Sequence, residues 1–118
     1  MEKFLVTTPT SGDYLTTVRL TTGGLCALVG FDVDTAEDYK VCVTESLLIL
    51  KRNGFLEAEI EFTVGETLAC TVTGKTLLNA AEDALEDEIS RALLSALIGN
   101  AEFTTDDNGK VLKIAFEG

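Results

Sequence analysis

Histidine and tryptophan are missing from this 118-residue chain, and proline and methionine occur once each. Without histidine there is no Ser-His-Asp or Cys-His arrangement for nucleophilic catalysis. Cysteine is scarce: Cys26, Cys42 and Cys70 are odd in number, widely spaced and form no CxxC. Neither a zinc site nor a disulfide framework follows, and free buried thiols in a reducing cytoplasm fit the pattern. Basic residues are few, with Lys+Arg 9 against Asp+Glu 20 and a net charge of -11. That balance argues against nucleic acid, whose phosphates need a basic patch, and against an anionic membrane surface. It is compatible with a basic patch on a protein partner, although acidity also simply keeps a protein in solution. The longest aliphatic run is Leu47 to Leu50, far too short to span a bilayer, and MEKFLVTTPT carries no signal-like segment. A cytoplasmic protein is expected.

What is present is a globular composition, 46% hydrophobic and 25% charged. There is no linker, low-complexity tract or repeat, so 1–118 reads as a single domain with one core. Residues 2–8 alternate weakly and suit an edge strand, with Phe4 and Val6 on one face. Residues 14–30 are ambiguous: Tyr14, Leu15, Val18, Leu25, Leu28 and Val29 make a loose helical stripe, while threonines and Gly23-Gly24 oppose it. Residues 35–51 are a clearer helix, with a capping box expected from Thr35 and Asp38 and an inner face of Ala36, Tyr39, Val43, Leu47 and Leu50. Lys51 and Arg52 suit its C-terminal end, and Gly54 is its natural stop.

A hairpin follows. Ala58, Ile60, Phe62 and Val64 alternate with polar residues, Gly65-Glu66 turns, and Leu68, Cys70 and Val72 continue. Asn79, with Glu82, caps a long helix with an expected inner stripe of Ala81, Leu85, Ile89, Ala92, Leu93, Ala96 and Leu97, ended by Gly99. Asp107-Asn108-Gly109 between extended runs signals a last hairpin. The expected fold class is α/β (α+β): a two-layer sandwich whose mainly antiparallel sheet is covered on one face by about three helices.

This order and text resemble the anti-sigma-factor serine kinases, a branch of the histidine-kinase-like (Bergerat-fold) ATPases. The resemblance covers most of the chain. Val18-Arg19-Leu20 sits in the first helix, Gly30-Phe31 and the acidic turn Asp32–Asp34 lead into the second, and that helix reads Val41-Cys42-Val43-Thr44-Glu45-Ser46-Leu47-Leu48-Ile49. The resemblance implies a helix over 14–30. The family pattern is an aliphatic–Ala–Val–x–Glu–x–x–x–Asn, in which the glutamate acts on the attacking hydroxyl or water and the asparagine holds Mg²⁺. Four residues along a helix return to the same face. Glu45 matches the first role; Ile49 stands at the second and cannot ligate a hard cation. The family's Asp-x-Gly-x-Gly adenine loop corresponds to Val72-Thr73-Gly74-Lys75-Thr76, without aspartate. Its glycine-rich phosphate segment corresponds to residues 79–92, which lack glycine and hold Glu82, Asp83, Glu86, Asp87 and Glu88.

The leading expectation is therefore a nucleotide-site-degenerate, non-catalytic domain with Glu45 as a relict catalytic base and with neither cofactor nor metal. By resemblance its partners are a sigma factor or an anti-sigma antagonist in transcriptional or stress regulation, and a homodimer is a further implication. The alternative is a divergent ATP-dependent protein serine kinase using Glu45 as general base, with Mg²⁺ held by Asn53 or Asn79. A third reading is a free-standing α/β module for a small apolar ligand. Gly74-Lys75-Thr76 imitates the end of a Walker loop but has Ala69 where glycine is required, so chance accounts for it. The acidic residues 82–88 lack calcium-loop spacing and read as a solvated first helical turn.

Overall fold

The computed structural model describes residues 1–77 and 84–118. Its elements run β1 (Glu2–Pro9), α1 (Leu15–Leu28), α2 (Val33–Arg52), β2 (Phe55–Val64), β3 (Leu68–Leu77), α3 (Ala84–Ile98), β4 (Glu102–Thr105) and β5 (Val111–Glu117), with a 3-10 turn over Gly12–Tyr14. The five strands form one sheet in the order β1-β2-β3-β5-β4, and every neighbouring pair is antiparallel. The architecture is an α+β two-layer sandwich of a five-stranded antiparallel sheet and three helices.

Alternation builds the sheet's two faces. Ala58, Ile60 and Phe62 are buried and pair with Gly74, Val72 and Cys70, which in turn meet Ile114 and Phe116. Glu57, Glu59 and Glu61 take the other positions of β2 and face away from this core. β1 is an edge strand, as its weak alternation suggests, with Val6 against the core and Phe4 only half-covered. The β2–β3 connection is three residues, since Val64 pairs with Leu68 and Gly65 donates its N–H to the Thr67 carbonyl at 3.1 Å. The last hairpin is organised by Asp106, whose carboxylate accepts the backbone N–H groups of Asn108 and Lys110.

Within residues 14–30, Leu15–Leu28 form a helix. Their buried side is Val18, Thr22, Leu25 and Cys26, whereas Tyr14 and Leu28 are exposed, contrary to the expected stripe. Thr22 joins the core because its hydroxyl donates to the Val18 carbonyl at 2.8 Å and so hides its polarity. α2 begins earlier than the capping-box reading placed it. Asp32 is the N-cap, accepting the Thr35 N–H at 2.7 Å, so the Thr35–Asp38 box is not the device used. That bond, with a second from the Thr35 side chain, lowers the Asp32 pKa.

α2 is the central helix and touches α1, α3, β2, β3 and β5. The expected face of Tyr39, Val43, Leu47 and Leu50 is buried, with Ala36 partly so. Cys42, Thr44, Ser46 and Ile49 are buried too, because helices flank α2 on top of the sheet contact. Tyr39 fixes one end: its ring packs between Phe31 and Phe116, and its hydroxyl donates to the Leu68 carbonyl at 2.7 Å.

The three cysteines are free and buried. Burial raises all three thiol pKa values, with Cys42 pushed up to about 12, and burial likewise raises that of Tyr39. Each group is neutral when protonated, so the folded state holds its proton more tightly than the unfolded chain. Stability from this source is complete below the ordinary thiol value of 9.0 and is lost as pH rises from there toward about 12. The melting temperature should therefore fall steadily above about pH 9, followed by circular dichroism, and a thiol reagent at about pH 8 should label the cysteines only in denaturant. A flat alkaline profile, or rapid native labelling, would contradict this packing.

Candidate functional site

Glu45 and Ile49, the motif positions of the family resemblance, lie on the last three turns of α2. They are best understood from the helix's C-terminal end. Asn53 follows Arg52 as the C-cap, and Gly54 takes the positive φ of 95° that lets the chain reverse into β2. The Asn53 amide is buried and fully engaged: its Nδ2 donates to the Ile49 carbonyl at 2.7 Å, and its Oδ1 accepts the Val111 N–H at 3.0 Å. One side chain thus closes the helix and starts the last strand.

One turn back, Ile49 is fully buried in the hydrophobic core. Its side chain offers no oxygen, and its surroundings are apolar. Glu45 is half-buried and faces α3. Ser90 of α3, itself buried, donates its hydroxyl to Glu45 Oε2 at 2.8 Å. The same Ser90 oxygen accepts from Arg52 Nη2 at 2.5 Å. Glu45, Ser90 and Arg52 therefore form a polar bridge from α2 to α3, in which the serine hydroxyl serves as acceptor and donor in turn.

This bridge explains how α3 is rotated. Among the described residues of the helix, Ser90 and Leu94 are buried, with Leu97 and Ile98 packed alongside. The expected stripe is displaced by about one residue: Ile89, Ala92 and Ala96 are exposed. Apolar residues occur on both sides of α3, so periodicity does not choose between them, and the partner of Glu45 decides. Arg91, 5.4 Å from the Phe103 ring centre, ties the same helix to β4. Ser90 was missed by sequence reasoning; the available signal was a hydroxyl residue one helical turn before Leu94.

The other sequence candidates separate from this site. Gly74-Lys75-Thr76 lies inside β3, so it forms no strand-to-helix phosphate loop. Gly74 has a packing reason: a Cβ there would stand 2.5 Å from the Phe55 ring. Asn79, Ala81, Glu82 and Asp83 lie outside the described residues. Among the described residues, no group of three or more His, Cys, Asp or Glu could hold a metal ion, and no helix is long and apolar enough to cross a membrane. Two open depressions of about 300 and 420 Å³ adjoin Ala69 and Glu117, and neither is lined by Glu45, Ile49 or Ser90.

Mg·ATP, the group the resemblance implies, does not fit these residues. The position that would ligate the metal is a core isoleucine, the glutamate is hydrogen-bonded to Ser90, and the Asn53 amide is consumed by backbone. Arg52 and Asn53 thus serve the fold, one through α3 and the other through β5.

Removing the Asn53 amide leaves a buried carbonyl and a buried N–H without this partner. Asn53→Ala should cost about 2–4 kcal/mol in chemical denaturation, well beyond an exposed helix-cap change. A loss below about 0.5 kcal/mol would refute the two-ended role. Compared with known proteins, no family model matches this chain and no curated protein matches it, so its functional reading rests on the residues themselves.

Proposed function

We propose that this chain is a nucleotide-site-degenerate domain of the anti-sigma-factor type, which acts by binding another protein rather than by phosphoryl transfer. The observation that carries the reading is Ile49. It occupies the Mg²⁺-ligand position of the resembled pattern and is fully buried in the core. A hard cation needs oxygen ligands, and phosphoryl transfer depends on positioning and charge neutralisation that this position does not supply. The element order supports the same descent: strand, two helices, hairpin, helix, hairpin. So does the engagement of Glu45 by Ser90, which gives a former base a structural task.

On this reading the partner is a sigma factor or an antagonist of anti-sigma factors, and the setting is transcriptional or stress regulation in the cytoplasm. The net charge of -11 favours a partner with a basic surface. The kinase alternative draws no support from Asn53, whose amide is already bonded at both ends.

Isothermal titration with MgATP and with MgADP tests the reading, and no binding heat is expected for either. Micromolar binding would sink it. A second arm restores the family residue. Ile49→Asn should lower stability by about 2–5 kcal/mol, because it buries an amide in an apolar core, and should leave nucleotide affinity undetectable. A stable Ile49→Asn protein that gains MgATP binding would mean that the position still lines a working cleft.

A further inference from the structure

The core side chains of β2, β3 and β5 point toward α2, and the residues between them point the other way. On that second face none of the described residues is buried: Glu61, Ala69, Thr71 and Ala115 are partly covered, and Glu102 and Glu117 are exposed. Direct strand pairing sets Glu61, Thr71, Ala115 and Glu102 in one row across β2, β3, β5 and β4. Two carboxylates therefore bracket a floor of two small side chains. The row on one side pairs Ala69 with Glu117, and the row on the other pairs Thr73 with Lys113.

Nothing inside the fold calls for so small a floor. Alanine is a poor strand residue, and Ala69 and Ala115 face away from the core layer. A depression of about 300 Å³ lies over Ala69, Thr71 and Ala115, and one of about 420 Å³ continues past Ala69 toward Thr63. The charged residues that line the two are Glu66, Glu102 and Glu117, with no lysine or arginine beside them. Glu61 is held by Lys3 at 3.0 Å, whereas Glu66, Glu102 and Glu117 are in no ion pair among the described residues.

We propose that this trough receives a short, basic, amphipathic helix of a partner protein. The proposal rests on the reading of the chain as a protein-binding domain and locates the contact. Charge and width select the occupant. Strands stand about 4.8 Å apart, so Glu61 and Glu102 are separated by roughly 14 Å, and a helix about 10–12 Å across fits between them. Lys and Arg at its margins reach Glu102 and Glu117, while their aliphatic stems cover the alanines. The two ends of the trough differ in sign, with Glu66 and Glu117 at one and Lys113 at the other. That polarity suits a helix whose N-terminus lies over the acidic end. A second copy of the chain would set carboxylate against carboxylate here, and anionic lipid or nucleic acid would be repelled. A contact built on exposed charge is weak and salt-sensitive.

The probe is a synthetic peptide of about four helical turns, with leucine and alanine on one side and lysine along both margins. It is titrated into the isotope-labelled full chain and followed by amide NMR. Shifts are expected around Thr71, Ala115 and Glu102, and the affinity should fall at least about tenfold from low to physiological salt. Glu102→Lys should weaken binding at least about fivefold, and Ala115→Arg, which fills the floor, at least as much. Glu88→Lys changes the net charge equally from an exposed site on α3 and should cost less than about twofold. Circular dichroism checks each variant, and Ala115→Arg carries the test if Glu102→Lys fails to fold. No binding, shifts centred on the helices, or equal losses for Glu102→Lys and Glu88→Lys would overturn the proposal. A chain that binds MgATP and still maps the peptide to the trough refutes the degenerate nucleotide site alone. A chain silent toward both refutes the trough alone.

Discussion

The fold depends on α2 being held at both ends against the sheet. At its first turns the Tyr39 hydroxyl reaches the Leu68 carbonyl, and at its last the Asn53 amide bridges the Ile49 carbonyl and the Val111 N–H. Between these anchors lie Val43, Leu47, Ile49 and Leu50, each fully buried and each contributing roughly 1.5–3 kcal/mol. The apolar contacts supply most of the stability. The two hydrogen-bonded ends, worth about 1 kcal/mol per bond, fix where along the sheet the helix sits. A slide along the sheet would part the Tyr39 hydroxyl from the Leu68 carbonyl and the Asn53 amide from the Val111 N–H.

Once α2 is placed, its outward residues have settled neighbours. α1 and α3 both pack against it, and the half-buried Glu45 faces α3. A half-buried carboxylate needs hydrogen-bond donors, and Ser90 is placed to serve as one. The serine in turn gives Arg52 an acceptor and sets the rotation of α3. Phosphoryl transfer on the resembled pattern would need an oxygen ligand at Ile49 and a glutamate free to reach substrate. The packing that stabilises the domain opposes both.

Much of this architecture was legible in the sequence. The alternation of Ala58, Ile60 and Phe62 with glutamates defined β2, and the period of Tyr39, Val43, Leu47 and Leu50 defined the inner side of α2. What the pattern left open has specific physical causes. α1 was ambiguous because threonines and two glycines weaken its local preference, and tertiary contact through Val18, Leu25 and Cys26 compensates. The N-cap of α2 was displaced because Asp32 and Thr35 are both acceptable caps, and backbone geometry chooses Asp32. α3 was rotated in the reading because two of its sides are apolar and the choice lies with Ser90, a long-range partner invisible to periodicity. At the site, Glu45 and Ile49 were picked out by the family resemblance, whereas the Ser90 bridge and the bond between Asn53 and Val111 span 38 residues or more of sequence.

The central claim is that Glu45 works as a structural tie between two helices. A double-mutant cycle on Glu45→Ala and Ser90→Ala, measured by chemical denaturation, tests it most directly. The account predicts that each change destabilises the domain and that the pair is coupled by about 1 kcal/mol, since the two side chains share one partly buried hydrogen bond. Strictly additive effects, or a Glu45→Ala protein as stable as the parent, would contradict it and leave the glutamate without a part in the fold.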